Sequence, residues 1–355
     1  MALGIGILGF AHGHVGSYLA QWRAHPEYGV AVVAGWDHDA ARLEKNAAPA
    51  GLRQHATAAA LVADPGVQAV VIGAETSRHA DLVELAAAAG KAVVLQKPMA
   101  LTMGEADRIV AAVRRSGVAF TLAWQMRVDP QNVQMKDLVD SGRFGRVYMV
   151  RRRHGLSVPT WGDWFLDSWH VRPGDNRDIW ADDAAHAVDF LHWLLGVPAS
   201  VTAEIASLYH PKMPMDNGIA IYRYADGGPV AEVTCSFTCL AAEATTEIIC
   251  EKGTILQSYG DAPSAAAPRP AGACGLKWYH LDQRDWTLST IPSPTSQGER
   301  LAGLALPLAE FLLGQRPAIA SAEDGRISLR MTLAGHLSNR EGRRVALDDP
   351  GIDRI

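Results

Sequence analysis

The chain has 355 residues, 48% hydrophobic and 20% charged, with a net charge of −5. That length favours two domains, and the composition is that of a globular protein with a large core. The acidic balance excludes a nucleic-acid footprint, and no segment reaches the roughly 18 consecutive apolar residues that span a bilayer.

The apolar start, MALGIGILGF, has no basic n-region and no small-residue cleavage site, so it reads as a first strand rather than a signal peptide. Short apolar runs follow at 3–10, 30–37, 67–74, 91–98 and 118–125, separated by helix-like stretches such as 77–90 and 102–117. Continuous Val, Ile and Leu strands alternating with helices predict a parallel sheet covered on both faces. That is a doubly wound α/β domain, expected over 1–124, with ligands at the carboxyl ends of its strands.

After about residue 125 longer strand patterns dominate, at 145–155, 199–209, 218–239 and 245–259. Ala225-Asp226-Gly227-Gly228 supplies the positive φ of a hairpin turn. Helices are expected only at 182–196, 298–314 and 322–340. Residues 125–355 therefore read as an α+β domain on an open, mainly antiparallel sheet. Arg151-Arg152-Arg153 lies in one of these strands and fits a mixed sheet face. Cys235, Cys239, Cys250 and Cys274 lack CxxC spacing and read as free thiols of a reducing cytoplasm.

Four groups of residues carry chemistry. In Gly9-Phe10-Ala11-His12-Gly13-His14-Val15-Gly16, Gly9 takes the first place of a dinucleotide fingerprint while Ala11 and His14 stand where glycines are usual. Asp37 ends the second strand, where a carboxylate bonds a ribose 2′-OH and repels a 2′-phosphate. This favours NAD, although Arg42 nearby could receive that phosphate. Gln96-Lys97-Pro98 ends a buried strand, and a lysine there is either exposed or directed into a ligand crevice. In ADDAAHAVDFLHWLLG, Asp182, His186, Asp189 and Trp193 share one helix face, opposite Ala184, Val188, Leu191 and Leu195. A solvated face is the plain reading. Yet the stripe holds no Lys, Arg or Glu, and Asp182 four residues before His186 can orient an imidazole suited to moving a hydroxyl proton. Finally, Trp161, Trp164, Trp169, Trp180 and Trp193 crowd a largely polar segment, where rings either pack the core or face sugar C–H groups.

Together these features resemble the Gfo/Idh/MocA family of NAD(P)-dependent sugar and polyol oxidoreductases. The stretch 74–110 is similar to the family's TPN-x-x-H…GKHV-x-x-EKP run, DDAAHAVD (182–189) to D-x-G-x-H-x-x-D, and SGRFGRV (141–147) to a further signature. The resemblance implies a Rossmann domain and a second open-sheet domain that joins copies into a homodimer or homotetramer. It also implies a cytoplasmic enzyme with NAD, NADP being less favoured, and a carbohydrate substrate. Lys97 takes the place of the EKP lysine, and Asp182 and His186 those of the acid/base pair. Cofactor contacts are expected at Gly9, Phe10, Ala11, His12, Asp37, His38, Arg42, Ala74, Glu75, His79, Gln96 and Lys97, and substrate contacts at Arg127, Trp164, Trp169 and Asp189. No metal ligand is expected. Gln96 departs from the motif glutamate and Ala184 from a glycine. The expected reaction is hydride transfer between nicotinamide and a carbinol of a sugar, glycoside or cyclitol. A glycosidase working by transient oxidation and a non-catalytic sensor of dinucleotide or sugar are the alternatives.

Overall fold

A computed structural model describes residues 2–355, and the chain forms two compact units. The first holds the residues up to Val128 with Gly174–Asn176 and Leu301–Leu329; the second holds Asp129–Pro173, Arg177–Arg300 and Arg330–Ile355.

The first unit is built on six parallel strands: β1 (Leu3–Leu8), β2 (Val30–Trp36), β3 (Arg53–Gln54), β4 (Ala69–Ile72), β5 (Ala92–Leu95) and β6 (Phe120–Leu122), in the order β3-β2-β1-β4-β5-β6. The strand reversal between β1 and β4 is the doubly wound arrangement expected. All four residues of β4 are buried, as its unbroken apolar run requires. The short, exposed β3 has no apolar pattern and escapes a reading of the sequence.

The sequence boundary at 124 falls four residues before the structural one, and a later segment returns to this unit. Leu304, Ala305, Leu308, Ala309, Phe311 and Leu312 join the core around Ile5, Tyr18 and Trp22. The Trp22 indole donates to Ala305 O at 2.8 Å, and Ile319 N donates to Thr121 Oγ1 at 2.9 Å. The pattern 298–314, read as one helix, is two: Gln297–Ala302 and Ala305–Leu312.

The second unit carries nine strands: β7 (Val147–Gly155), β8 (Ser200–Ala206), β9 (Asn217–Arg223), β10 (Val230–Ser236), β11 (Ala244–Cys250), β12 (Gly253–Ser258), β13 (Leu276–His280), β14 (Asp285–Leu288) and β15 (Val345–Ala346). Their order is β14-β13-β12-β11-β7-β10-β9-β8-β15. Only β7 and β10 pair in parallel. Asp226 (φ 53°) and Gly227 (φ 71°) make the expected hairpin turn between β9 and β10. The run 245–259 breaks at Glu251-Lys252 into the antiparallel pair β11 and β12.

This sheet is half covered. Along β7, Val150, Arg152 and His154 are buried while Arg151 is exposed, the alternation of a pleated strand. Arg151 meets Glu232 and Glu247 at 3.5 and 3.6 Å, so the arginine triplet is a mixed sheet face. Inward, Arg152 lies 4.3 Å from the Phe190 ring and donates to Gln257 Oε1 at 2.9 Å. Burial pulls its pKa down to about 10. The helix Ala185–Leu195 packs against β7 and β10 on the buried face.

Candidate active site

In the first unit the chain leaves β1 through Gly9 at φ +90°. A Cβ there would stand 2.5 Å from the Ala74 backbone, so only glycine fits this close approach to the end of β4. His12 is buried, and its N–H donates to Gly73 O at 2.8 Å. Its ring meets that of His14 edge-on, 4.2 Å between centroids. The helix His14–Ala24 starts at Gly13 with no side-chain cap, and a Cβ at Gly13 would meet nothing within 4 Å. An uncapped helix start beside open backbone fits a pyrophosphate.

At the end of β2, each Asp37 oxygen accepts twice. Oδ2 takes Phe10 N–H and Arg42 Nε at 2.7 Å each. Oδ1 takes Asp39 N–H at 2.9 Å and Arg42 Nη2 at 2.7 Å. Arg42 also reaches Glu75 Oε1 at 2.8 Å, and His38 lies 3.3 Å from Asp37. Burial opposes ionisation of Asp37, but the Arg42 guanidinium and the two N–H groups overcome it and hold the carboxyl below its usual range. Asp37, His38, Arg42 and Glu75 therefore form one cluster.

At the end of β5, Gln96 is fully buried and donates to the Tyr18 hydroxyl at 3.0 Å, while its Oε1 has no partner among the described residues. An orphaned buried acceptor at a strand's carboxyl end fits a bound dinucleotide group with a donor to offer. Lys97 follows and is 3% exposed, which excludes the exposed strand-end alternative. The His79 ring lies within 3.2 Å of the carbonyls of Pro98, Met99 and Ala74. It holds the segments flanking the β4 and β5 ends, a supporting place. Arg127 is buried too, 3.6 Å from Asp324 within the same unit. The sequence gives no sign of Asn176, which accepts from Thr76 Oγ1 at 3.0 Å.

In the second unit the expected polar stripe is buried: Asp182 is 1% exposed, His186 2% and Asp189 0%. A solvated helix face is thereby excluded. The approach to the helix is a π turn, Trp180–Ala184, a feature common at functional sites. Trp180 seats itself where a Cβ on Gly218 would come within 2.7 Å of its ring, so this tryptophan is core. With the turn widened, consecutive carboxylates meet different imidazoles. Asp182 Oδ2 lies 2.6 Å from His170 Nδ1, and Asp183 Oδ1 lies 3.5 Å from His186 Nε2 and 4.0 Å from His154 Nε2. The His154 and His186 rings are 4.8 Å apart. Spacing alone linked Asp182 with His186; it missed His170, His154 and Asp183. The inward alternation of β7 could have revealed His154.

Trp169 is buried and stacks on His170 at 4.0 Å. Trp164 is 61% exposed and stacks on Trp161. Asp189 is fully buried.

Two family models match the chain. Residues 3–123 match the oxidoreductase family with an NAD-binding Rossmann fold, and residues 132–256 match the GFO/IDH/MocA C-terminal domain. The chain is 28% identical over 198 residues to a 1,5-anhydro-D-fructose reductase of Ensifer adhaerens, covering 55% of this chain and 58% of that one. It is 31% identical over 205 residues to an inositol 2-dehydrogenase of Salmonella paratyphi B, covering 55% of each. It thus spans little more than half the length of these curated relatives. A solved structure described as a putative myo-inositol dehydrogenase of Sinorhizobium meliloti superposes with a TM-score of 0.75 at 25% identity, covering 98% of this chain and 100% of that one.

Proposed function

The chain belongs to the Gfo/Idh/MocA oxidoreductase family with its NAD-binding Rossmann fold, and from that premise we propose that it is a dehydrogenase of a sugar or cyclitol carbinol. The observation that carries this is the burial of Lys97, Asp182 and His186 at the positions of the family's motifs. Relatives named inositol 2-dehydrogenase and 1,5-anhydro-D-fructose reductase support the substrate class.

When bound, the nicotinamide supplies hydride acceptance and return. Gly9, the start of His14–Ala24 and His12 would hold the pyrophosphate, and Asp37 and Arg42 the adenine ribose. In the oxidation direction His186 accepts the hydroxyl proton, and the Lys97 ammonium steadies the oxygen as it becomes alkoxide-like. Asp182 and its partner His170 fix one wall of the acidic group around that imidazole. Of the aromatic residues, Trp169 supports His170, and Trp164 is the ring free to meet a sugar face.

NAD is preferred over NADP because Asp37 and Glu75 together offset the single guanidinium of Arg42. A second copy of the chain is expected to cover the outward sheet face, where Met149, Ile219 and Ile221 are 41%, 47% and 42% exposed. None of Cys235, Cys239, Cys250 and Cys274 is in a disulfide, in keeping with a reducing cytoplasm; among the described residues no helix is long and apolar enough to cross a membrane.

The test is a panel of monosaccharides, inositols and glycosides with NAD and NADP, read by NADH absorbance. Stoichiometric NADH from a sugar or inositol supports the reading. Glycoside cleavage without net NADH points to the glycosidase alternative, and binding without turnover to a sensor.

A further inference from the structure

Below the surface of the second unit, two imidazoles and a carboxylate converge. His154, Asp183 and His186 each present one ligand atom, and these atoms all lie within 4.8 Å of one another. We propose that the three residues form a binding site for a divalent transition-metal ion of the zinc class, and that filling it blocks the proton-accepting role of His186. The blocking clause rests on the dehydrogenase reading; the site itself does not.

Donor chemistry selects the ion. Two imidazole nitrogens and one carboxylate oxygen suit zinc, cobalt or iron(II), whereas calcium and magnesium prefer all-oxygen shells. Spacing agrees. A tetrahedral zinc with bonds of about 2.0–2.2 Å holds its ligand atoms about 3.3 Å apart. Asp183 Oδ1 stands 3.5 Å from one imidazole nitrogen and 4.0 Å from the other, and no separation in the set exceeds 4.8 Å, so the ligands draw together to close it.

Position and burial agree as well. His154, Asp183 and His186 are 2%, 6% and 2% exposed, so their ligand atoms lie in the protein interior. The ligands are held by regular structure: His154 by the central strand β7, His186 by the first turn of Ala185–Leu195, and Asp183 by the π turn ahead of it. The widened turn is what sends Asp183 toward His186 while Asp182 turns to His170. Three protein ligands leave a fourth position open for water or a hydroxyl. Coordination occupies the nitrogen lone pair of His186, so a filled site leaves that ring unable to take a proton.

The test uses the untagged, chelator-treated full chain titrated with Co2+, followed by visible ligand-field absorption, then with Zn2+ by calorimetry. One equivalent of Co2+ should bind with tetrahedral-type bands and be displaced by Zn2+. Asp183→Asn and His154→Ala, checked for folding by circular dichroism, should each weaken binding by at least about tenfold. Zn2+ should inhibit NADH formation by the wild-type chain and inhibit His154→Ala less, relative to that variant's own rate. No one-equivalent binding by the wild type, or binding unchanged in both variants, overturns the site. Binding that leaves the wild-type rate unchanged overturns the blocking clause. Metal binding in a chain that never forms NADH sinks the dehydrogenase reading alone, and NADH formation without metal binding sinks the metal site alone.

Discussion

Two of the buried polar clusters, around Asp37 and around Asp183, are built on opposite principles. Around Asp37 the spacing is closed, with four donors at 2.7–2.9 Å on two oxygens. Around Asp183 it is open, with two imidazole nitrogens at 3.5 and 4.0 Å. The closed cluster fixes a backbone turn and a charge pattern, and in the open one the carboxylate and the two imidazoles stand farther apart.

The sharpest way to break that contrast is at the open cluster. His186→Ala should lower turnover by about 10²–10⁴-fold, the usual worth of a positioned acid or base, with NAD affinity little changed in a fluorescence titration. Lys97→Ala should lose about 10²–10³-fold in turnover for want of electrostatic support at the oxygen. Near-normal rates in either variant would remove that residue from the reaction.

Smaller effects are expected at the closed cluster. Asp37→Ala leaves the Arg42 guanidinium facing the ribose with only Glu75 against it. The ratio of NADP to NAD efficiency should then rise by about tenfold, one lost charge-assisted hydrogen bond in energy, read from kcat/KM with each cofactor. His12→Ala should weaken NAD by about three- to tenfold; unchanged affinity would retire a phosphate role for that ring.

The smallest effect concerns stability. Burial opposes protonation of His336, but Asp178 at 2.8 Å overcomes it and raises its pKa above the ordinary 6.5. The stabilisation is therefore whole below pH 6.5 and fades as pH climbs through the raised value. His336→Gln should lower the melting midpoint most at acidic pH, with the gap from wild type narrowing as pH rises. A gap independent of pH would deny the ion pair.

Much of this was legible in the chain. Apolar runs at β1, β2, β4 and β5 announced a parallel sheet because burial on both faces leaves no polar alternation. Lys97, Asp182 and His186 stood out as candidates because motif spacing survives in sequence. What escaped was set by geometry that periodicity does not encode. A reading at 3.6 residues per turn cannot foresee the π turn, and so missed that Asp183 comes beside His186. His154 is 32 residues from His186 in the chain yet 4.8 Å away ring to ring, and Asn176 reaches Thr76 across a hundred positions.

The return of Leu301–Leu329 to the first unit bears on how the protein can be cut. A fragment ending near residue 128 would carry all six parallel strands but lack the helix that covers Tyr18 and Trp22. Those rings would meet water, and the piece would clump. A soluble cofactor-binding fragment would instead need 301–329 grafted back by a linker, a covalent splice joining what translation separates.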